Sequence, residues 1–362
     1  MTSKIPNAPP DNIFTIDLAP YQAYLVDLPP GATRGMRTEQ EGWDSARSEV
    51  MANQAKLGDR AGITTTDYNR FVDFDQQHGQ ILAQLPRVSK AVEVVEESLS
   101  HVDNQRHKLV TQFANAAESH AAAEGGNATL TTAYEKTIAY RSIIADKAVK
   151  TRQKNEEAKK GPGAPADGPP VAPPGAPPAP PAPPAGPDDA AQGKGGGGGS
   201  KMPNAPPDSI FAIDLNPLKP FLVDLPPGAT RGMRTAQEGW EAVQEEIVNN
   251  QAKYGDRAGI TATDYNRFLA LNDQYAQLRP QLPLLQKAEE VLVESLAHAD
   301  NQRHRLVTQF ADAAESHAAA EGGDPTLLTA YEKTIAYRGV VAEKAVKTRK
   351  KNEEAKKGGS GG

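Results

Sequence analysis

The sequence predicts an all-α protein made of two tandem elongated helical bundles. Each bundle is expected to contain a long antiparallel helical hairpin plus shorter helices, and to carry an extended, proline-rich N-terminal arm. The first observation behind this prediction is a repeat, because Lys4 to Gly161 aligns without a gap on Lys201 to Gly358. A repeat of this length indicates a duplicated domain rather than a solenoid of short units. The other two observations are a long helical spacing of apolar residues, and prolines that forbid helix at the start of each repeat.

The repeat and the composition of the segment between its copies define the predicted domains. They are the first arm (1–37), the first bundle (38–161), a linker (162–200), the second arm (201–234), the second bundle (235–357) and a Gly/Ser tail (358–362). The linker is rich in proline and alanine and ends in a run of glycines and a serine, which together with the tail resembles laboratory linkers. We therefore interpret the chain as an engineered tandem fusion of two paralogous subunits. A natural tandem protein with a low-complexity hinge is the alternative.

Composition excludes several classes of site and partner. The net charge of −6, with both signs interspersed, offers neither the basic excess typical of nucleic-acid binding nor a basic amphipathic segment for a membrane surface. The absence of cysteine excludes disulfides, thiolate chemistry and cysteine-based zinc sites. The start of the sequence lacks an apolar signal region and no run reaches a membrane-spanning length, so a cytoplasmic protein is predicted.

The first elements of each repeat are an arm and a short helix. Apolar residues alternate with polar ones over residues 14–18, which predicts an extended arm lying on an apolar surface. The first helix is predicted to begin at Thr38, because Thr38 and Glu41 have the spacing of a capping box. Asn53 interrupts the apolar face of this helix. It is interpreted either as a buried residue that sets helix register or as a solvated residue near the helix end.

The strongest periodic signal follows, over residues 71–120, after a helix start at Thr64 or Thr66. Its members are spaced alternately by three and four, over about seven heptads, which predicts coiled-coil packing with left-handed supercoiling. They are Phe71, Phe74, His78, Ile81, Leu85, Val88, Val92, Val95, Leu99, Val102, Arg106, Leu109, Phe113, Ala116 and His120. Pro86 predicts a bend or a break near residues 83–87. Gly125 and Gly126 predict the helix end, after which a last helix over residues 129–158 runs back antiparallel.

Arg106, and Arg303 in the second repeat, lie on this apolar stripe. A buried guanidinium must be paired, so each arginine is interpreted as part of an ion pair that fixes register or partner choice, with Glu118 or Glu135 as candidate partners. The alternative is that the arginine lays its stem over the stripe and keeps its head in water.

The histidines carry the main alternative, a metal site. His101 and His107 fall outside the stripe and are predicted to be surface residues, whereas His120 is expected to be a structural histidine that bonds a helix-terminal carbonyl. His78 lies on the stripe, but Tyr275 replaces it in the second repeat, so a ligand role would not fit both repeats. The sequence contains no Glu-x-x-His pair, no phosphate-binding loop and no nucleophile motif. No metal, no cofactor and no enzymatic activity are therefore predicted.

The predicted function is structural: a scaffold or assembly module that acts by coiled-coil-like helix–helix recognition. The predicted interface residues are Leu99, Val102, Arg106, Leu109, Phe113, Leu296, Arg303, Leu306 and Phe310. The expected partner is the other module of the same chain, as a pseudo-dimer, or a homologous subunit, with higher-order assembly as an extension. The linker permits parallel or antiparallel pairing. The alternatives are a metal- or cofactor-binding bundle that uses His101, His107 and His120, and an adaptor that binds a partner through the proline-rich segment 162–194 or the arm 4–36.

Overall fold

A computed structural model describes residues 7–142, 153, 204–320 and 323–340, and these residues are mostly helical, as the all-α prediction requires. The first repeat forms strand β1 (Thr15–Asp17) and helices α1 (Trp43–Leu57), α2 (Thr65–Ala123) and α3 (Ala128–Ala133), with further helix over 135–142. The second repeat forms strand β2 (Ala212–Asp214) and helices α4 (Trp240–Tyr254), α5 (Ala262–Leu278), α6 (Gln281–Ala319) and α7 (Thr326–Ala330), with further helix over 332–340.

The chain forms two compact units, and each combines residues from both repeats. Among the described residues, the larger unit comprises 7–106, 204–235, 268–320 and 323–340, and the smaller unit comprises 107–142, 153 and 236–267. The domain boundaries given above follow the sequence repeat and stay a prediction about sequence modules.

The N-terminal segments of the two repeats pair with each other in the larger unit. Strands β1 and β2 are antiparallel, with Ile16 opposite Ile213. Both isoleucines are buried while their strand neighbours are exposed, because successive residues of a strand point to opposite faces. The alternation over residues 14–18 thus reflects a short strand with one buried face.

The first helix begins at Trp43, so the predicted start at Thr38 is wrong. Gly42 precedes the helix with a φ of 91°, a left-handed conformation that glycine adopts without a side-chain penalty. Three backbone amides of residues 37–40 donate to side chains of the second repeat, namely those of Asn301, Asp300 and Tyr337. These contacts hold the segment that precedes the helix against the second repeat.

Pro86 lies inside α2, which continues from Thr65 to Ala123, so the predicted break is wrong for the first repeat. The second repeat does break, between α5 and α6, where it has prolines at 280 and 283. Pro280 precedes α6 and Pro283 falls in its first turn, where the missing amide has no helical partner to lose. One proline is accommodated within the helix, whereas two start a new one. The predicted start of α2 is confirmed, since the Thr64 hydroxyl accepts the Asp67 amide at 3.1 Å.

Gly125 and Gly126 end α2 as predicted, with φ values of 76° and 87°. The return segment that follows is interrupted, so a continuous helix from residue 129 is wrong. Helix α3 ends at Ala133, Tyr134 leaves the helical region with φ −121° and ψ 27°, and helix resumes at 135. The remainder of the predicted helix, 143–158, lies outside the described residues except for residue 153.

Helix α1 of the first repeat packs on helices of the second repeat in the core of the larger unit. This core contains Trp43, Ala46, Val50, Ala61, Ile63, Phe71, Leu306, Val307, Phe310, Ala314, Leu327, Tyr331 and Tyr337. The same relation holds in the smaller unit, where Trp240 at the start of α4 packs on His107 and Tyr140 of the first repeat. The short tryptophan-bearing helix of each repeat is thus covered by the hairpin of the other.

The long helices of the two repeats run antiparallel in the larger unit. Four side-chain contacts show this direction: Asp75 with Arg303, Ser89 with Glu289, Glu96 with Gln286, and Arg106 with Asn272. As the number rises along α2, the number of the partner falls. Ala91 and Ala288 occupy equivalent positions near the centre of this helix pair and are fully buried. None of the helices in the described ranges has the length and apolar character needed to cross a membrane.

Candidate functional site

Two buried arginines occupy equivalent positions in the repeats, and each is the centre of a polar cluster in the larger unit. Arg106 on α2 is 3% exposed and Arg303 on α6 is 2% exposed. Both residues are almost fully buried, so the interpretation in which the head is solvated is wrong. A charge buried this deeply costs several kcal/mol unless it is paired, so its partners decide what each cluster does.

The Arg303 cluster contains three carboxylates and a second arginine. Nη1 of Arg303 donates to Asp75 at 3.0 Å, and Nη2 donates to Glu39 at 2.8 Å and also to Asp300, one turn earlier on α6. Arg47 on α1 donates from Nε to both Asp75 oxygens at 2.8 Å. Three of these residues come from the first repeat and two from the second, so the cluster joins the repeats.

Electrostatics in the Arg303 cluster keep Asp75 ionised and His78 neutral. Burial alone would raise the pKa of Asp75, but hydrogen bonds from Arg47 and Arg303 outweigh burial and lower it. Burial, reinforced by the charge of Arg303, lowers the pKa of His78, whose Nε2 lies 3.5 Å from Asp300. Ion pairing therefore dominates the cluster at neutral pH.

The same cluster contains a set of possible metal ligands. Glu39, His78 and Asp300 each place one ligand atom within 4.8 Å of the others. Both carboxylates, however, already accept hydrogen bonds from Arg303, whose positive charge opposes a cation at that point. The equivalent positions of the other cluster hold Ala236, Tyr275 and Asp103, which do not reproduce the set. The donors fit an ion-pair cluster better than a metal centre.

The described contacts of Arg106 include one amide, one carboxylate and one aromatic ring. Nε of Arg106 donates to the Asn272 carbonyl at 2.7 Å, and Nη1 donates to Asp103 at 2.8 Å. The ring centroid of Tyr275 lies 4.4 Å from its Cζ, within the range of a cation–π interaction. Glu118, suggested above as a partner, accepts hydrogen bonds from Arg141.

Each N-terminal segment is bound by three side chains of the opposite repeat, also in the larger unit. Ser295 Oγ accepts the Val26 amide at 2.9 Å, Glu294 accepts the Leu28 amide at 2.7 Å, and Lys287 pairs with Asp27 at 2.9 Å. The other N-terminal segment makes the equivalent contacts at the same distances: the Val223 amide with Ser98, the Leu225 amide with Glu97, and Asp224 with Lys90. We call Lys90, Glu97, Ser98 and their equivalents Lys287, Glu294 and Ser295 the segment-binding residues. Burial raises the pKa of both glutamates, against the opposing effect of the accepted amide.

The interruption in each return segment is also capped by the other repeat. In the larger unit, Glu49 accepts the amides of Lys333 and Thr334 at 3.1 and 2.8 Å, at the start of the helix over 332–340. Asn53, one turn further along α1, donates to the carbonyl of Ala330 at the end of α7. Glu246 and Asn250 make the same contacts in the smaller unit. Asn53 therefore fits the register-setting interpretation rather than the solvated one.

The histidines singled out from sequence are dispersed. His107 is fully buried, with Nε2 2.9 Å from the Tyr140 hydroxyl, so its predicted surface position is wrong. Trp240 packs on that side of the helix, which the periodicity of one stripe does not reveal. His101 is half-buried, and His120 is exposed, with its ring against Gly259, so the buried position on the stripe expected for it is wrong. Among the described residues, no group of possible metal ligands includes these three histidines.

The structure buries most of the predicted interface residues. Val102, Arg106, Leu109, Phe113, Arg303, Leu306 and Phe310 are buried, whereas Leu99 and Leu296 are half-buried. Sequence reasoning singled out Asn53 but missed its neighbour Glu49 and the segment-binding residues. A signal for them existed, because each of these residues is identical in the two repeats.

Comparison with protein-family models, with curated proteins and with solved structures finds no match to this chain. Function is therefore inferred from the geometry of the two repeats.

Proposed function

We propose that this chain is a non-enzymatic structural module, a tandem of two helical bundles whose paralogous repeats pair as an intramolecular pseudo-dimer. The observation that carries the proposal is the reciprocity of the contacts between the N-terminal segments. Asn7 pairs with Asp224, and Asp27 pairs with Asn204, which is the same pair of positions with the repeats exchanged. Ile16 faces its own equivalent, Ile213. A two-fold, self-complementary interface has this property.

The exchange of elements between repeats supports the proposal. The N-terminal segment of each repeat is bound by the segment-binding residues of the other, and Trp43 of the first repeat packs in a core with Leu306 and Phe310 of the second. An element that buries its apolar face only on the partner leaves that face uncovered when the partner is absent. Each repeat therefore needs the other to complete its core.

The Pro/Ala-rich linker then serves as a tether in this proposal. A flexible connection of this kind raises the effective concentration of one repeat around the other to the order of millimolar without adding a contact. The pairing would persist without the linker, which is also the expectation for two subunits joined by engineering. Recognition would combine the antiparallel helices, the two arginine clusters and the N-terminal segments.

Cutting the linker tests the proposal. A protease site inserted in the glycine run at 195–199 allows the folded chain to be cut there, and sedimentation velocity then reports the mass of the particle. We expect the two halves to remain together at the mass of the uncut chain, 38.6 kDa. Halves that separate into single repeats at micromolar concentration would contradict pairing.

A matched pair of variants shows whether the strand pairing contributes. The variant Ile16→Asn with Ile213→Asn places two amides on the buried face of the strand pair, whereas Thr15→Asn with Ala212→Asn places them on the exposed face one residue away. The inward variant should weaken the association of the cut halves, because burying polar groups without matched partners costs about 1–3 kcal/mol each. The outward variant should associate like the parent.

A further inference from the structure

We infer that the pairing surface does not discriminate between the two repeats, so that each repeat would pair with a second copy of itself as well as with the other repeat. This inference rests on the proposed function and extends it. Two chains would exchange repeats to form a closed assembly, while the linker would favour internal pairing at low concentration.

The segment contacts carry the inference first. Val26, Asp27 and Leu28 are matched by Val223, Asp224 and Leu225, and the segment-binding residues are the same in both repeats. A repeat paired with its own copy would therefore make the same three contacts at each segment. The capping pair Glu49 and Asn53 is likewise matched by Glu246 and Asn250.

The two arginine clusters differ only in the residues that the repeat opposite each arginine supplies. The arginine and the aspartate one turn before it are the same in both repeats, as Asp103 and Arg106 or as Asp300 and Arg303. The residues that differ, such as Asp75 against Asn272, all come from the repeat that faces this pair. In a pair of identical repeats, each cluster would therefore have the composition of one of the two clusters in this chain. Neither cluster favours the mixed pair.

The centre of the helix pair also lacks a preference. In the mixed pair, Glu289 accepts from Ser89 and Glu96 accepts from Gln286. In a pair of first repeats, Glu96 would face a second Ser89, and in a pair of second repeats Glu289 would face a second Gln286, so each glutamate keeps a polar partner. Among the described contacts, the hydrogen bond from Asn216 to Thr15 favours the mixed pair, but it is exposed and so has little weight.

Two full-length chains test the inference against the parent. One carries residues 4–161 in both positions, the other carries residues 201–358 in both positions, and all three chains have the cleavable linker. After cutting, native mass spectrometry should show paired halves in every case. The urea midpoint of the parent should be close to the mean of the two homotypic chains, because the described contact that mixing adds, from Asn216 to Thr15, is exposed and weak.

The outcomes separate the inference from the proposed function. If the parent halves pair and the halves of the two homotypic chains do not, the inference is overturned and the pseudo-dimer stands. A parent urea midpoint well above the mean of the two homotypic midpoints would have the same meaning. Separation of all three cut chains would overturn both. In addition, cut homotypic pairs that are mixed in urea and refolded together should reassort in binomial proportions. Exclusive recovery of the mixed pair would demonstrate discrimination and overturn the inference.

Discussion

The Arg303 and Arg106 clusters occupy equivalent places in the two repeats, yet they satisfy the same buried charge differently. Around Arg303 the partners are Asp75, Glu39 and Asp300, with Arg47 as a second cation. Around Arg106 the described partners include Asn272, Asp103 and a tyrosine ring. Both arrangements fold into the same antiparallel helix pair.

The comparison shows which part of the cluster is required and which part varies. Each arginine keeps an aspartate one helical turn before it, on its own helix, and this short pair is present in both repeats. The groups supplied by the opposite repeat change from charged to neutral. A buried ion pair is costly to break but can be surrounded by different polar groups, provided that each charge keeps a partner.

The largest effect is expected from removal of the arginines. Arg303→Leu leaves the carboxylates of Asp75 and Asp300 buried with one guanidinium fewer, and should lower the free energy of unfolding by about 3–5 kcal/mol. Arg106→Leu should cost less, because Asn272, which faces Arg106 at the position equivalent to Asp75, is neutral. Urea unfolding measures both, with the exposed Arg305→Leu as the control. An equal or larger loss for Arg106→Leu would show that charge does not distinguish the clusters.

The next effect concerns Asp75. Asp75→Asn copies the second repeat and should cost about 1–3 kcal/mol at pH 7, because a charge-assisted hydrogen bond is replaced by a weaker one. The pKa of Asp75 is lowered in the folded protein, so its contribution is complete above the ordinary value of 3.8 and is lost as the pH falls through the lower folded pKa. The difference between parent and variant should therefore shrink below about pH 4.

The reciprocal change supplies the control for Asp75. Asn272→Asp places a second carboxylate beside Arg106, and the second repeat has Gln244 at the position equivalent to Arg47. The Asn272→Asp variant should lose more stability than the parent as the pH falls from 7 to 3. Unfolding curves at several pH values from 3 to 7 check both variants, and a difference that does not change with pH would contradict the assigned role of Asp75.

His78→Tyr should have a smaller effect, visible mainly as a change in pH dependence. Burial and the charge of Arg303 lower the pKa of His78, although the nearby carboxylates of Asp300, Glu39 and Asp75 act to raise it. Just below pH 6.5 the unfolded chain therefore binds a proton at this histidine that the folded protein does not. Stability from this group is complete above about pH 6.5 and falls as the pH drops below it. The tyrosine variant should lose that slope. Thermal unfolding at pH 7 and pH 5 measures it, and an unchanged slope would count against this account of His78.

Glu39→Ala should have the smallest effect, within about 1 kcal/mol, because a pair with a partly exposed carboxylate is screened by water. The Glu39 side chain is 46% exposed, and the second repeat has alanine at this position. The backbone amide of the residue would still donate to Asp300. Urea unfolding at low and high salt provides the measurement, and a loss of several kcal/mol would show that three carboxylates are needed.

The parts of the fold that depend on nearby residues could be predicted from sequence. The cap at Thr64, the turn at Gly125 and Gly126 and much of the buried stripe on α2 follow from spacing and residue type. The helix start at Trp43 and the gap at Tyr134 could not be predicted in this way, because side chains from the other repeat satisfy the backbone there. His107 was misplaced for a related reason, since Trp240 covers a second face of α2.

The candidate site was predicted in part. The two arginines could be found because a charge on an apolar stripe requires a partner. Their partners could not, because Asp75 and Asn272 lie on the opposite repeat and the direction of pairing was open. The segment-binding residues were missed because a polar residue on a half-buried face resembles a solvated one until its partner is known.

The reciprocal pairing of the repeats can be tested most directly with a disulfide at its centre. The chain has no cysteine, so Ile16→Cys with Ile213→Cys introduces a single pair. Opposite residues of antiparallel strands have Cα atoms about 4.5–5.5 Å apart, within disulfide range. After the linker is cut and the thiols are oxidised, we predict one covalent band on a non-reducing gel, which reduction converts to two. Two separate bands before reduction would contradict the pairing of the repeats.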